Sequence, residues 1–187
     1  MAKGSGGTRG ASGGGGGRLS RNLGGREGEI KNSPIERNAI FDDKGNLLFK
    51  NDNGTTNSVS FKGAESKMKD NIYTHNHPSG SSFSTDDYVV AATYNLKEMR
   101  VVTKGVTYSL KRPKSGWGLV GKDKQGAIGV AFSDAKKSVT ARLKHYVMNY
   151  KGDKQQALGR ADRIISHMVN KLAAKKLGWD YSKSKTK

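Results

Sequence analysis

Two histidines one residue apart, His75 and His77, stand in the segment Thr74-His75-Asn76-His77-Pro78-Ser79-Gly80. Ile72-Tyr73-Thr74 before them favours β structure, so a buried strand is expected to run into the motif. Side chains alternate along a strand, so both imidazoles project from one face and Asn76 from the other. Pro78 cannot donate to a sheet ladder and ends the strand. The polar loop Ser79-Gly80-Ser81-Ser82 turns the chain back, and Ser84-Thr85-Asp86-Asp87 opens a helix. Ser84 and Asp87 have the spacing of a capping box, with Asp in place of the usual Glu or Gln at N3. That role alone accounts for both residues. The histidines just upstream offer a second role. A carboxylate beside two imidazoles completes a His, His, Asp set with a fourth position open, the arrangement of a catalytic zinc. Such an ion lowers the pKa of its water toward neutrality. A further carboxylate must then move the proton, and Ser84 is placed to support an oxyanion.

The rest of the chain limits what can hold a metal. Among 187 residues there is no cysteine, which excludes a disulfide framework and any thiolate site. Only 33% of residues are hydrophobic and the mean hydropathy is −0.74, so part of the chain is expected to lie outside a core. No run reaches the roughly 20 apolar residues of a membrane span, and the first residues lack the apolar stretch of a signal peptide. A soluble, cytoplasmic protein without a membrane partner is the expectation.

With those limits in place, His75-x-His77-Pro78 followed by Ser84-x-x-Asp87 resembles the signature of the JAMM (MPN/JAB) metallopeptidases. The wording His-Asn-His-Pro-Ser-Gly is similar to RadC-like bacterial members. Phe83-Ser84-x-x-Asp87 with the later Tyr108-Ser109-Leu110 resembles JAB domains of phage head-associated and polymorphic-toxin proteins. The likeness covers about residues 35–117. It implies a curved β-sheet flanked by helices, one zinc held by His75, His77 and Asp87, Ser84 beside it, and a glutamate on an early strand as general base. Glu36, 39 residues before His75, is the best match. Glu65 is too close and falls in an expected helix, and Glu27 and Glu29 border a glycine-rich tail. The loop between His77 and Ser84 is one residue shorter than is usual in the eukaryotic deubiquitinases, and a slipped register would make Asp86 the ligand. The likeness also places the protein in a phage or mobile-element setting, with a virion-associated or secreted toxin form as variants of the cytoplasmic expectation.

The elements around the motif follow from local pattern. Residues 1–33 are read as a flexible tail, because residues 1–28 hold twelve of the 25 glycines. Residues 37–41 and 47–49 read as strands about a turn at Asp43-Lys44-Gly45-Asn46, and residues 58–61 as a third strand. Residues 63–70 read as a short helix, 85–96 as a helix, and 100–110 as a hairpin about Lys104-Gly105. Residues 34–117 therefore form an α+β domain. Residues 114–132 are ambiguous. Residues 134–150 and 155–177 carry apolar residues at helical spacing and read as a basic helical hairpin turning at Lys151-Gly152-Asp153, followed by a short tail at 181–187. His145 and His167 fall in these helices with no clustered ligands and read as surface or packing residues.

Charge separates these parts. The net charge of +18 divides into +4 over residues 1–33, +2 over 34–112 and +12 over 113–187. A basic appendage on a balanced core suits an anionic partner. Two readings result: a zinc-dependent hydrolase of amide or isopeptide bonds acting on a peptide or protein, or a non-catalytic module whose region 118–187 binds nucleic acid or an acidic protein. Removing everything after Trp117 is expected to leave metal binding intact under the first reading and to abolish polyanion binding under the second.

Overall fold

The turn after the first strand shows how closely the chain packs. Asp42 Oδ1 accepts from the backbone N–H groups of Lys44 (3.0 Å) and Asn46 (2.7 Å), closing the reversal. Gly45 has φ +83°, and a Cβ there would lie 2.6 Å from the Cα of Leu19. Leu19 belongs to a helix that rests on this turn. The structure, a computed structural model, describes residues 14–119, 123–148 and 154–186.

The elements run α1 (Gly14–Ile30), β1 (Asn38–Phe41), β2 (Leu47–Asn51), a single 3-10 turn (Glu65–Lys67), β3 (Ile72–Asn76), α2 (Thr85–Thr93), β4 (Glu98–Thr103), β5 (Val106–Lys111), α3 (Lys124–Met148), α4 (Lys154–Leu177) and β6 (Asp180–Lys185). This is an α+β architecture with one six-stranded mixed sheet ordered β2-β1-β3-β4-β5-β6. Neighbours are antiparallel except β3 and β4, which are parallel and joined through α2. A parallel pair needs such a crossover, and here the crossover carries the site.

The sheet is covered on both faces. On one, Leu23 of α1 packs on Ala39, Phe41 and Ile72. On the other, Ile40, Tyr73, Met99, Val101, Tyr108 and Leu110 meet α2, α3, Trp117 and Trp179. The α3–α4 pair has its own apolar seam, in which Ala131, Ala135 and Val139 face Val169 and Ala173. Among the described residues no helix is long and apolar enough to cross a membrane.

Four expectations need correction. The glycine-rich segment read as a flexible tail is helix α1 from Gly14 on, held by burial of Leu23 and Ile30 and by polar ties from Glu27 and Arg26; residues 1–13 of that segment lie outside the described residues. Residues 58–61 form no strand, because β2 and β3 occupy both edges of β1; the Ser60 carbonyl instead accepts from the Asn38 and Asn51 side chains. The helix expected at 63–70 is only the 3-10 turn. The tail at 181–187 is strand β6 through Lys185, pairing along the whole of β5. The hairpin turn at Lys151-Gly152-Asp153, and Tyr150 before it, lie outside the described residues.

The boundary drawn after Trp117 does not divide two cores. Trp117 and Trp179 pack edge to face with centroids 4.6 Å apart, and the Trp179 indole N–H donates to the Trp117 carbonyl. Tyr88 of α2 stacks on Trp179.

Candidate metal centre

β3 delivers the two histidines as its alternation requires. Tyr73 and His75 face the α2 side, whereas Thr74 faces α1 and donates to Glu27 Oε1. His77 follows directly, its backbone N–H donating to the Val102 carbonyl and so extending the parallel pairing by one step. The imidazoles are nearly buried, and their Nε2 atoms lie 3.0 Å apart. Asp87, in the first turn of α2, brings Oδ1 to 3.1 Å from His75 Nε2 and Oδ2 to 3.7 Å from His77 Nε2. Among the described residues, His75, His77 and Asp87 form a group able to hold a metal ion. Asp86, the alternative under a slipped register, is exposed and outside that group.

Capping and ligation turn out to be compatible. The Ser84 backbone N–H and hydroxyl both donate to Asp87 Oδ2, at 2.7 and 2.8 Å, while the Asp87 N–H donates to Ser84 Oγ at 3.1 Å. The capping box thus aims the carboxylate and leaves Oδ1 to face His75.

Glu36 arrives from the opposite side of the cleft. It lies two residues before β1 rather than on it, with Oε1 3.8 Å from His77 Nε2. Its backbone N–H donates to the Thr55 carbonyl, and Gly54 comes so near that a Cβ there would sit 2.1 Å from the Glu36 carbonyl oxygen. Asn76, wholly buried between the histidines, completes the placement. Its Oδ1 accepts from the Arg37 N–H at 2.7 Å, and its Nδ2 donates to the Ile35 carbonyl at 3.0 Å. Asn76 therefore brackets Glu36 on both sides, a role not read from the sequence. The signal was present: an amide within a buried strand must find partners for its N–H and C=O groups.

The loop after His77 is fixed from the C-terminal part of the chain. His77 Nδ1 faces the Ser82 carbonyl at 3.1 Å. A carbonyl only accepts, so this contact favours the Nδ1–H tautomer, in which the lone pair of Nε2 points into the centre; Ser81 Oγ also lies 3.2 Å from Nδ1. Ser82 N–H donates to Ser166 Oγ, Ser82 Oγ pairs with the Tyr181 hydroxyl, and Asn170 Nδ2 donates to the Phe83 carbonyl. His167 packs as expected, its Nδ1 2.8 Å from the Tyr181 hydroxyl. His75 Nδ1 is buried without a hydrogen-bond partner among the described residues, so its ring is oriented by Asp87 and by the Tyr73 ring instead.

The electrostatics follow from crowding these groups out of water. Burial pushes the Glu36 carboxyl up to about 7, with Asp87 adding to the effect and His75 opposing it. Burial and the adjacent His75 push His77 down to about 4. Burial also disfavours charge on His75, but Asp87 and Glu36 outweigh it and raise that imidazole above its ordinary value. Burial acts upward on Asp87, yet His75, His77 and the Ser84 N–H hold it well below the usual carboxylate range.

The donor set could hold a metal ion. Two imidazole nitrogens and a carboxylate oxygen bound at 2.0–2.1 Å in a tetrahedron would lie about 3.3–3.4 Å apart. The Nε2–Nε2 separation of 3.0 Å and the His75 Nε2–Asp87 Oδ1 separation of 3.1 Å lie close to that value, whereas the Asp87 oxygen near His77 Nε2 is the other one, Oδ2, at 3.7 Å. The cleft in front measures about 340 Å³ and is lined by Glu36, Tyr73, Ser84 and Val90 as well as by the three donors. The chain matches no protein-family model, no curated protein and no solved structure.

Proposed function

We propose that the protein is a zinc-dependent hydrolase of amide or isopeptide bonds, of the JAMM metallopeptidase type. The observation that carries this reading is the convergence of His75, His77 and Asp87 on one point, with the Glu36 carboxylate 3.8 Å from His77 across the same cleft. His75, His77 and Asp87 would hold the ion, which when bound supplies Lewis-acid charge and a water ionised near neutral pH. Glu36 would take the proton of the attacking water and pass it to the leaving amine, a role supported by the place of its carboxylate 3.8 Å from His77 Nε2 in the same cleft. Ser84 lines the cleft, and its hydroxyl proton points at Asp87 Oδ2. For that hydroxyl to support an oxyanion it must rotate, and the Ser84 N–H keeps Asp87 in place meanwhile. The α+β class with a six-stranded mixed sheet supports the reading at the level of fold class.

Metal analysis combined with cleavage assays on peptide and isopeptide substrates tests the reading. Wild type and Glu36→Gln are expected to carry one zinc per chain, and His75→Ala/His77→Ala none. Cleavage should fall at least about 10²-fold in Glu36→Gln. A wild-type protein without zinc affinity, or a Glu36→Gln variant of unchanged activity, sinks the proposal.

A second reading has its own observation. Lys136, Lys137, Arg142, Lys171, Lys175 and Lys176 are exposed on α3 and α4, which suits a module binding nucleic acid or an acidic protein. It predicts salt-sensitive binding that survives loss of both histidines.

A further inference from the structure

A second and larger recess adjoins the metal centre. It measures about 640 Å³ and lies on the other side of the Pro78-Ser79-Gly80 turn. Ser79 lines both spaces, so the two adjoin at the loop that follows His77. The walls of the recess come from four parts of the chain. They are the segment between α1 and Glu36, the β4–β5 turn with Lys104, β6 with Lys183, and α4 with Ile164 and His167.

The two spaces differ in charge. The metal cleft presents Glu36, Asp86 and Asp87. The adjoining recess presents Lys31, Lys104 and Lys183, and no carboxylate is among its lining residues. Lys104 and Lys183 are exposed, and neither takes part in an ion pair among the described residues. Ile164 adds a half-exposed apolar side chain to the same surface. Three elements distant in sequence thus bring unpaired positive charge and an apolar contact to the flank of the cleft.

We propose that this recess binds an acidic segment of the substrate polypeptide, on one side of the bond that is cut. The word substrate rests on the hydrolase reading; the binding of an acidic peptide does not. A peptide fits better than a nucleic acid. Single-stranded nucleic acid is gripped by exposed aromatic faces on which bases stack. Of the two aromatic rings that line this recess, Tyr108 is buried and His167 is packed against Tyr108 and Tyr181, while the exposed cations and large apolar side chain of the lining are Lys104, Lys183 and Ile164. An acidic stretch carrying an apolar side chain matches that lining, and it leaves the acid-lined cleft for the neutral amide.

The test uses the full chain and fluorescein-labelled peptides of equal length that are Glu-rich, Gly-Ser or Lys-rich. Fluorescence anisotropy is measured for wild type, for Lys104→Glu/Lys183→Glu, and for Lys44→Glu/Lys69→Glu. The last pair makes the same charge change beyond the opposite, Ile72 end of β3, where both lysines are exposed. The Glu-rich peptide should bind wild type in preference to the other two. Reversal at Lys104 and Lys183 should weaken it about tenfold or more, and the distal reversal should have less than about a twofold effect. Equal weakening by both double variants would reduce the effect to net charge and overturn the proposal. So would preferential binding of an equally charged single-stranded oligonucleotide. Zinc content measured on the same samples keeps the two ideas apart. Lost peptide selectivity with zinc retained removes only this recess, whereas selectivity without zinc removes the hydrolase reading and leaves the recess.

Discussion

The carboxylate of Asp87 serves two structures at once. Oδ2 accepts from the Ser84 backbone N–H and hydroxyl, and Oδ1 lies against His75. The cap supplies for Asp87 the orientation that ligating carboxylates commonly take from outer hydrogen bonds. Among the described residues Glu36 has no such donor within the cleft, and burial dominates its titration. This yields a pH prediction for the metal-free protein. A carboxyl whose folded pKa is raised from 4.5 to about 7 binds its proton more tightly in the folded state. Its contribution is therefore favourable below the unfolded value and is lost as pH rises toward 7. His77, pushed down to about 4, acts in the opposite sense, so wild type must be compared with Glu36→Gln rather than read alone. In urea titrations of metal-free protein, wild type should lose stability relative to Glu36→Gln between about pH 4.5 and pH 7. A constant difference across that window would show that Glu36 is not held as described.

Among the elements, α1 departs furthest from its sequence pattern. Its helical segment contains the runs Gly14-Gly15-Gly16-Gly17 and Gly24-Gly25, and each interior glycine disfavours a helix by about 1 kcal/mol relative to alanine. Tertiary contacts reverse that preference. Leu23 and Ile30 are buried, and Glu27 reaches through the sheet face to Arg100 with contacts of 2.5 and 3.0 Å. Arg26 also donates to the Asn38 carbonyl, next to the Glu36 segment. Helix stability in proteins comes mostly from such packing. A Cβ at Gly24, Gly25 or Gly28 would meet nothing within 4 Å. Replacing any of the three by alanine should therefore stabilise the protein by about 0.5–1 kcal/mol, read as a rise in the midpoint of denaturant unfolding. A fall would mean that α1 does not dock as a helix. Gly45 and Gly54 are the opposite case, since a Cβ at either would strike backbone.

For the whole molecule, the basic C-terminal region is part of the scaffold of the site. Ser166 and Asn170 of α4 hold the Ser82-Phe83 backbone, Tyr181 of β6 holds the Ser82 hydroxyl, and the Ser82 carbonyl in turn orients His77. Trp179 fills the core beside Tyr88 and Trp117. Removal of everything after Trp117 would strip β5 of its outer partner, β6, and leave a large apolar surface open. The truncated chain should lose both cooperative unfolding and zinc binding, as measured by calorimetry and metal analysis, contrary to the sequence expectation of a separable metal domain. A truncated chain that folds and keeps zinc would show that those ties are dispensable.

Local pattern was enough to place His75 and His77 on one face, the Ser84–Asp87 cap at the start of a helix, the hairpin about Lys104-Gly105 and the two long C-terminal helices, although α3 begins at Lys124, ten residues before the start expected at 134. Each depends on alternation, on turn chemistry or on helical periodicity, which act between near neighbours. The α1 helix, the edge strand β6 and the absence of a strand at 58–61 depended on which sheet edges and apolar faces remained open, which near neighbours do not reveal. The same division holds at the centre. The sequence supplied the two imidazoles and the cap, while only the folded chain brought Glu36 within 3.8 Å of His77 and set Asn76 to hold it there. Those contacts span about 40 residues of sequence, and their geometry is decided by the pairing of β1 with β3.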